Sequence, residues 1–373
     1  MDMNFYMPVA IKTGKGCVSA GTEVFEKSGK RCLIVTGSTA AKKSGALDDL
    51  IALFEKIGIV YSVFDGIEQN PTYVSCLNAA EEAKRIGADF VVGIGGGSPL
   101  DAAKAIAVLA ACNDTSAKAL FSCQWDSAPL PIIAIGTTAG TGSEVTPVAV
   151  ITSPEGRKTS IRAATLYPVA AFGDATYTMS LSPAFTRSTA LDALAHCLES
   201  YFNRTANNIS RLFAQKGIAI LAEMLERTAT CESAPLSFEE REEIYFASLY
   251  GGLAISVTGT AFPHALGYFL SEQYRIPHGN ACAVYLEEFI RYNAGVAPAE
   301  STTLFTALGR TPNELIALIK KNLPELQVSI TEEKLAELAP RFENNKSLKK
   351  CYGTADRAFA EALLRRLFGE NQS

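Results

Sequence analysis

Between residues 31 and 138, short runs of apolar and β-branched residues alternate with segments of helical pattern. The strand-like runs are RCLIVTG, IVYSVFDG, DFVVGIGGG and LPIIAIGTT. The helix-like segments between them are AKKSGALDDLIALFEKIG, NPTYVSCLNAAEEAKRIG and DAAKAIAVLAAC. Strands joined by helical crossovers pair in parallel, because each helix returns the chain to the same end of the sheet. The alternation therefore predicts an α/β domain built on a parallel sheet.

The second half of the chain has a different pattern. After about residue 180 the strand-like runs fade, and amphipathic segments with capping signals replace them, such as the capping box TPNE at residues 311–314. Apolar residues such as Leu191 and Leu194 recur there at helical spacing. At 373 residues the chain is longer than one hydrophobic core usually serves. We therefore predict an α/β domain over residues 1–180 and an all-α domain over residues 181–373.

Charge and composition argue against several classes of function. The formal net charge is −5, and the lysines and arginines are scattered, which provides no basic surface for nucleic acid. No uncharged stretch reaches the ~18 residues that a membrane span needs. The nine cysteines are odd in number and form no CxxC pair, as is typical of reduced thiols. We expect a soluble, cytoplasmic protein that binds neither nucleic acid nor membrane.

Two glycine-rich turns follow predicted strands. The first, at residues 93–104 (GIGGGSPLDAAK), enters a helix, with Ser98 and Pro99 suited to the cap and first turn. Glycines 95–97 let backbone N–H groups approach an anion, which the helix dipole also favours. The second turn, GTTAGTGSE, spans residues 136–144. The chain lacks GxGxxG, and a tight turn alone needs glycine, but two such turns in one sheet predict a nucleotide-binding crevice.

The end of the first predicted strand bears on the choice of nucleotide. An acidic residue near Gly37 and Ser38 would bind the ribose 2′-hydroxyl of NAD, but none occurs between residues 37 and 43. Hydroxyl residues together with Lys42 and Lys43 suit a 2′-phosphate instead, so NADP(H) is favoured over NAD(H). The alternative is that both lysines belong to the solvent-facing side of a helix.

The three histidines all lie in the predicted helical half. Asp192 and His196 are four residues apart, which places both on one face of a helix. Alone, such a pair is more often an ordinary helix contact than a metal site. However, His264 and His278 lie within fifteen residues of each other, and no histidine is used elsewhere. This concentration predicts one metal centre with Asp192, His196, His264 and His278 as ligands.

Three imidazoles and one carboxylate leave one or two positions for a substrate oxygen on a five- or six-coordinate ion. That geometry favours Fe(II) or Mn(II) over tetrahedral zinc, so we predict iron, with zinc as the alternative. Glu199 follows His196 by three residues. It is a candidate further ligand or an acceptor that orients the imidazole, although a simple charge on the helix face is the favoured interpretation.

Four segments of the chain occur in the order and at the spacings of a known family. They are GGGSPLDAAKAIA, TTAGTGSEVTPVAVIT, ALDALAHCLESY and HALGYFLSEQYRIPHG. Along essentially its whole length the sequence resembles the iron-containing (group III) alcohol dehydrogenases. The resemblance implies an N-terminal Rossmann-like dinucleotide-binding domain, a C-terminal helical domain, and an active site in the cleft between them.

The resemblance also assigns roles to residues of this chain. Its metal ligands fall on the four residues already selected. The implied cofactor contacts are Gly96, Gly97 and Ser98 at the pyrophosphate, Thr137, Thr138 and Ser143 on the nicotinamide side, and Asn70, Asp101 and Lys158. The resemblance further implies a homodimer that forms through N-terminal strands, here within residues 4–20.

The chain departs from the family pattern at two places. Many members carry a further histidine four residues after the one that matches His264, and this histidine takes part in proton relay; here the position is Tyr268. A tyrosine hydroxyl can still donate a hydrogen bond, so Tyr268 is the candidate relay residue. The acidic residue that NAD-preferring members carry near Gly37 is missing, in agreement with NADP(H).

We therefore expect a metal-dependent alcohol dehydrogenase or aldehyde reductase that acts on a small primary alcohol, diol or aldehyde. A glycerol or polyol dehydrogenase, or a dehydroquinate-synthase-like enzyme on the same fold, is the alternative. A nucleotide-binding protein with a structural metal is a more remote one. The candidates for the substrate pocket are Trp125, Phe262, Phe269 and Cys282.

Overall fold

The computed structural model describes residues 5–230 and 236–370. Its strands are β1 (Ala10–Thr13), β2 (Arg31–Thr36), β3 (Val60–Phe64), β4 (Phe90–Gly95), β5 (Ile132–Gly136), β6 (Val148–Thr152), β7 (Lys158–Arg162) and β8 (Ala170–Gly173). The helices among these strands are α1 (Thr22–Ser28), α2 (Ala40–Lys43), α3 (Ala46–Ile57), α4 (Tyr73–Ile86), α5 (Gly97–Ala111) and α6 (Ala117–Ser122). The helices after β8 are α7 (Pro183–Tyr201), α8 (Asn208–Thr230), α9 (Phe238–Thr258), α10 (Phe262–Gln273), α11 (His278–Ala283), α12 (Leu286–Val296), α13 (Pro298–Leu308), α14 (Pro312–Asn322), α15 (Glu332–Leu338) and α16 (Arg357–Phe368).

Six strands form one parallel sheet in the order β1-β8-β5-β4-β2-β3. Successive residues of a strand face opposite sides of the sheet. In β2, Cys32 and Ile34 accordingly belong to one buried cluster with residues of α1 and α3, whereas Leu33 and Val35 belong to another with residues of α4 and α5. The predicted parallel α/β sheet is confirmed, since β2, β3, β4 and β5 coincide with the four strand-like runs.

The strand-like pattern of the sequence does not reveal β1, β6, β7 or β8, although the family resemblance implies strands within residues 4–20, where β1 lies. Strand β8 lies inside the sheet, but its sequence AAFG contains no β-branched residue. Strands β6 and β7 form a separate antiparallel pair. All four residues of β1 are exposed, and it forms one edge of the sheet. Pairing with neighbouring strands, more than their own composition, fixes these segments as strands.

The first predicted helix is divided in two. Gly45, with φ of +86°, separates α2 from α3, so the segment is not the continuous helix that its pattern predicts. Glycine adopts this left-handed conformation without the steric cost that other residues bear. The next predicted helix is α4, whose capping box joins Thr72 and Ser75. The break confines Lys42 and Lys43 to the short helix that follows β2.

Among the described residues, only helices and isolated bridges follow β8, which confirms the predicted all-α character of the second half. The capping box of Thr311 and Glu314 opens α14 as predicted. Helix α7 is buried over every residue from 190 to 201, including Leu191 and Leu194. Since this helix has no exposed side there, each polar residue on it needs a partner inside the protein.

The described chain forms two compact units. The α/β unit comprises Tyr6–Ser182 and Leu236–Gly252, and the helical unit takes the other described residues. Within the α/β unit, Tyr245 donates a hydrogen bond of 2.9 Å to buried Glu144, and the Arg241 side chain bonds the carbonyl of Leu181 at 3.0 Å. These contacts explain why the first part of α9 packs with the sheet.

Among residues 5–230 and 236–370, no single helix is long and apolar enough to cross a membrane. Helices α9 and α10, which are sharply bent relative to each other, are long and apolar enough for a membrane span only when both are counted together, and by length and composition alone. The eight cysteines in the described ranges are all free thiols. Cys231 lies outside the described residues.

Candidate metal centre and dinucleotide site

Helix α7 presents Asp192 and His196 to the interior of the helical unit. Their side chains lie one turn apart, and the two residues are 3% and 6% exposed. The ring of His196 stacks on that of His264, with centroids 4.5 Å apart and planes inclined by 15°. The four-residue spacing thus brings both side chains to one buried location, as the sequence predicts.

Helices α10 and α11 bring the other two histidines to the same place. His264 lies in the first turn of α10, and His278 is the first residue of α11. The next residue, Gly279, allows α11 to approach α7 closely, since a Cβ there would lie 1.8 Å from the carbonyl oxygen of Ser188. Any larger residue would push the two helices apart. Gly279 therefore keeps His278 beside Asp192.

Four side chains form a group that could hold a metal ion. Asp192, His264, His278 and Cys282 each offer one ligand atom, and these atoms all lie within 4.8 Å of one another. Asp192 Oδ1 is 3.4 Å from His264 Nε2 and 3.9 Å from His278 Nε2. Ligand atoms that share one ion at ordinary bond lengths are about 3–4 Å apart.

Two atoms of this group support its fit to a metal. Asp192 Oδ1 and His264 Nε2 are buried, and neither has a hydrogen-bond partner among the described residues. Buried polar atoms are normally satisfied, so a pair of unsatisfied atoms that face each other calls for a third group. A cation satisfies both a carboxylate oxygen and an imidazole nitrogen. The residues present therefore fit the ion that the sequence predicts.

Asp192 is held in the form that binds metals. Burial alone would raise its pKa, but the charges of His196 and His278 lower it below the ordinary value of an aspartate. The charge of the neighbouring His264 adds to this lowering. Asp192 is therefore a carboxylate at neutral pH.

Cys282 belongs to the group of four, whereas the sequence analysis placed it only among candidates for the pocket. It follows His278 by four residues on α11, the same spacing that joins Asp192 and His196. That spacing is the signal that could have identified it. His196 is outside this group of four but stacks on His264. Its role as a ligand stays a prediction.

Glu199 is not a solvent-exposed charge on a helix face, so the favoured interpretation of this residue is wrong. It is 0% exposed, and one carboxylate oxygen accepts hydrogen bonds from the backbone N–H groups of Ala261 (2.8 Å) and His264 (3.1 Å). The other oxygen bonds Nδ1 of His264. Glu199 thus caps α10 from a neighbouring helix and fixes the His264 ring with Nε2 toward Asp192. Its partners lie more than 60 residues away in sequence, which is why spacing could not identify them.

Replacing Glu199 with glutamine should weaken metal binding by about 10- to 100-fold, because the amide is a poorer acceptor for the Nδ1–H that orients His264. Titration of metal-stripped protein against a chromophoric chelator measures this change. Glu223→Gln, an exposed substitution on α8, is the matched control. Equal metal affinity in the Glu199 variant and the wild type would contradict this role.

Of the aromatic residues selected from the sequence, Tyr268 lies beside the histidines. The ring of Tyr268 stacks on His278, with centroids 5.7 Å apart and planes inclined by 6°. Phe262 and Phe269 are 0% and 2% exposed and belong to the core, so they are not candidates for lining an open pocket. Trp125 packs in the α/β unit against the cluster around α5 and donates a hydrogen bond to the carbonyl of Leu120.

The predicted nucleotide-binding turns lie together at the carboxyl ends of neighbouring strands of the sheet. Strands β5, β4 and β2 are neighbours, so their carboxyl ends lie side by side. Gly37 and Ser38 follow β2, Gly96 follows β4, and Thr137 and Thr138 follow β5. The two glycine turns touch, since a Cβ on Gly96 would lie 2.9 Å from the hydroxyl oxygen of Thr138. Open α/β sheets bind nucleotides in the crevice at these carboxyl ends of the strands.

The first turn of α5 is suited to a phosphate. Gly96 is its N-cap and no side chain caps it, which leaves the N–H groups of the first turn for an anion. Ser98 is not the cap, because Gly96 takes the extended conformation and the helix begins at Gly97. The hydroxyl oxygen of Ser98 instead accepts a hydrogen bond of 3.2 Å from the backbone of Asn70. Thr137 Oγ1 is buried and has no partner among the described residues, so it is available to a ligand.

Asn70 and Lys158 come near the same turn through the pair β6 and β7. Asn70 has φ of +61°, and its carbonyl oxygen accepts a hydrogen bond from the Thr152 hydroxyl at 3.4 Å. Thr152 is paired with Lys158 in the antiparallel register. The structure thus brings Asn70, Ser98 and Lys158 into one neighbourhood. Their contacts with a dinucleotide stay predictions.

A buried lysine joins the two glycine turns. Lys104 is 0% exposed, and its Nζ donates to Ser143 O (2.8 Å), Ser143 Oγ (2.7 Å) and Val148 O (2.7 Å). Ser143 Oγ in turn donates to Asp101 Oδ1 at 2.6 Å. Burial lowers the pKa of Lys104 to about 8, so most of it is protonated at neutral pH. Lys104 was not among the residues predicted from the sequence, although a lysine inside the apolar run AAKAIAVLA is itself a signal of a buried partner.

Two family models match consecutive parts of the chain. The iron-containing alcohol dehydrogenase model matches residues 8–175, and the C-terminal model of the Fe-containing alcohol dehydrogenase family matches residues 186–365. The chain belongs to the iron-containing alcohol dehydrogenase family. The resemblance found in the four sequence segments is thereby confirmed, and with it the assignment to oxidoreductases that act on alcohols.

Several known proteins resemble the chain over most of their length. The 1,3-propanediol dehydrogenase of Klebsiella pneumoniae is 32% identical over 321 residues, which cover 85% of this chain and 80% of that protein. The crystal structure of an iron-containing alcohol dehydrogenase from Thermotoga maritima has a TM-score of 0.89 and 34% identity, and covers 98% of this chain and 99% of that one. The sulfoacetaldehyde reductase of Bifidobacterium kashiwanohense in complex with NAD+ has a TM-score of 0.86 and 28% identity, with the same coverage.

Proposed function

We propose that this protein is a metal-dependent alcohol dehydrogenase and aldehyde reductase that transfers hydride reversibly between NADP(H) and a small primary alcohol or diol. The observation that carries the proposal is the pair of buried, unsatisfied atoms Asp192 Oδ1 and His264 Nε2 within a group of metal-binding side chains. The names of its relatives, among them a propanediol dehydrogenase and an aldehyde reductase, support the substrate class.

The residues of the chain divide the work of this reaction. When bound, a divalent ion supplies a Lewis acid toward a substrate oxygen, and a nicotinamide supplies or accepts the hydride. Asp192, His196, His264 and His278 would hold the ion, and Glu199 keeps the His264 ring in its orientation. Asp192 and His264 are almost fully buried, which excludes water, whereas the side chain of His278 is 30% exposed and lies on the accessible side.

The identity of the metal and the route of the proton are further parts of the proposal. Three imidazoles and one carboxylate favour Fe(II), and zinc is the alternative. Tyr268, stacked on His278, is proposed to relay the proton that the alcohol loses: its hydroxyl oxygen would accept that proton while its own O–H proton passes on toward solvent.

The protein should prefer NADPH to NADH by about tenfold or more in kcat/KM, since a charged hydrogen bond to a 2′-phosphate contributes about 1.5–3 kcal/mol. Both Lys42 and Lys43 are exposed on α2, beside the end of β2, and are free to reach such a group. Replacing both lysines with alanine should remove the preference, whereas Lys56→Ala, exposed on α3, should not. Initial rates with each cofactor measure the ratio. A wild-type preference for NADH would refute the choice of NADP(H).

The experiment that tests the whole proposal begins with anaerobic purification and elemental analysis of the protein. A panel of short aldehydes and diols is then followed through the absorbance of the nicotinamide. We expect one divalent ion per chain and one NADPH consumed per aldehyde reduced. Turnover without net NADPH consumption would favour a dehydroquinate-synthase-like reaction, and glycerol as the best substrate would favour a polyol dehydrogenase. A bound metal ion without turnover of any substrate in the panel would favour a nucleotide-binding protein with a structural metal.

The proposal includes a cytoplasmic homodimer. Strand β1 is the edge strand of the sheet and pairs with β8 on one side, and all four of its residues are exposed. An exposed edge strand can pair with the same strand of a second chain. The free cysteines of the described residues agree with a reducing compartment. Light scattering of the purified protein measures the oligomeric state.

A further inference from the structure

The thiol of Cys282 occupies a position that the family's ligand set does not include. Cys282 is 0% exposed and lies on α11, one turn beyond His278. Its sulfur is 3.9 Å from both ring nitrogens of His278 and within 4.8 Å of the ligand atoms of Asp192 and His264. Sulfur and nitrogen atoms bound to one ion, at about 2.3 Å and 2.1 Å, lie about 3–4 Å apart. The separation between the sulfur and the ring nitrogens of His278 falls in this range.

The packing of two helices brings the thiol there. A Cβ on Gly267 of α10 would lie 2.9 Å from the carbonyl oxygen of Ala281 and 3.0 Å from the sulfur of Cys282. Glycine at this position therefore lets α11 approach α10 until the thiol reaches the histidines. The unsatisfied atoms Asp192 Oδ1 and His264 Nε2 face the same point from α7 and α10.

We infer that Cys282 is a metal ligand of this protein, which binds as a thiolate beside Asp192, His264 and His278. The inference rests on the metal site of the proposed function and adds one ligand to it. On binding, the thiol proton passes to solvent and the sulfur donates an electron pair to the ion. With His196 included, five protein ligands leave one position of a six-coordinate ion for a substrate oxygen.

A thiolate changes which metals the site favours. Thiolate is a soft ligand that suits zinc and cobalt better than it suits manganese or magnesium, for which oxygen ligands are preferred. The site of this chain should therefore bind zinc more tightly than a site with only imidazole and carboxylate ligands. Serine in place of Cys282 keeps the size of the side chain but removes the sulfur.

Cobalt substitution tests the inference directly. Metal-stripped wild-type protein, reloaded with Co(II), should show a near-ultraviolet thiolate-to-cobalt charge-transfer band. Cys282→Ser should bind cobalt without this band and should bind zinc about tenfold or more weakly. Cys197→Ser, which removes a buried thiol of α7 outside the group, should keep both the band and the zinc affinity. X-ray absorption of the zinc-loaded wild type, which needs no variant, should show one sulfur at about 2.3 Å.

The possible results distinguish the ligand role of Cys282 from the existence of the metal site. Bound cobalt without a charge-transfer band in the wild type, or a band that survives in Cys282→Ser, would overturn the ligand role of Cys282 and leave the metal site itself standing. Failure of the wild type to bind any divalent ion would overturn both. A sulfur scatterer in the wild type that disappears in Cys282→Ser would establish the thiolate ligand.

Discussion

Replacement of His264 by alanine should give a folded protein that retains no metal ion and reduces aldehydes about 1000-fold more slowly. The loss of a metal's Lewis acidity costs several kcal/mol of transition-state stabilisation, and about 4 kcal/mol corresponds to this factor. His264 is central to the group, because its Nε2 lies 3.4 Å from Asp192 Oδ1 and its ring stacks on His196. Elemental analysis and steady-state kinetics measure the two effects.

Loss of metal and activity in His264→Ala must be distinguished from the effect of a general loss of stability. Leu270→Ala, on the same helix and equally buried, creates a cavity without touching the ligand group and should cost about 2–5 kcal/mol of stability. It should nevertheless keep the metal. His264→Ala should still bind NADPH, since the glycine turns belong to the α/β unit. Full metal content in His264→Ala would show that the group around Asp192 is not the metal centre.

Much of the fold was predictable because the sequence of a buried parallel strand is distinctive. The run RCLIVT of β2 is apolar on both faces and could be recognised without its neighbours. Strand β8, with sequence AAFG, could not, since small residues there reflect close packing inside the sheet and not strand propensity. A Cβ on Gly173 at its end would lie 2.3 Å from the ring of Tyr245, a contact that no local pattern encodes.

The candidate site was predictable only where its partners are near in sequence or rare in composition. Asp192 and His196 are one turn apart, and a chain with three histidines shows their concentration at once. The roles of Glu199 and Cys282 were harder to predict: Glu199 was a candidate ligand or orienting acceptor but was interpreted as a charge on the helix face, and Cys282 was only a pocket candidate, because the neighbours that define their roles arrive through helix packing. Glu199 contacts His264 across 65 residues, and Cys282 depends on the close approach of two helices.

The two sites are preorganised by different means. Around the metal centre, the backbone of α10 donates to Glu199, so that helix capping and the orientation of His264 are one interaction. At the candidate dinucleotide site, the Lys104 ammonium links the second glycine turn to α5. In each case a buried charged side chain, Glu199 or Lys104, holds in place the residues that are proposed to bind the metal or the dinucleotide. Substitution of these charges should thus affect one site and spare the other.

Replacing Lys104 with methionine should lower the free energy of unfolding by about 3–5 kcal/mol, the usual cost of removing one partner of a buried ion pair. Methionine preserves the apolar stem, but Asp101 loses its counter-charge and the carbonyl oxygens of Ser143 and Val148 lose their donor. The turn that holds Thr137 and Ser143 should become mobile, so NADPH affinity should fall by about tenfold or more. Chemical denaturation and fluorescence titration measure the two changes.

Lys84→Met provides the matched control, since Lys84 also donates from Nζ to a backbone carbonyl, that of Cys112 at 2.9 Å, but at a partly exposed position of α4. Water can replace that bond, so its loss should change stability by less than about 1 kcal/mol and leave NADPH affinity intact. Lys104→Met should retain its full metal content, because its effect is confined to the α/β unit. If Lys104→Met bound NADPH as tightly as Lys84→Met does, the lysine would contribute to stability alone, and the two glycine turns would not depend on it for their binding conformation.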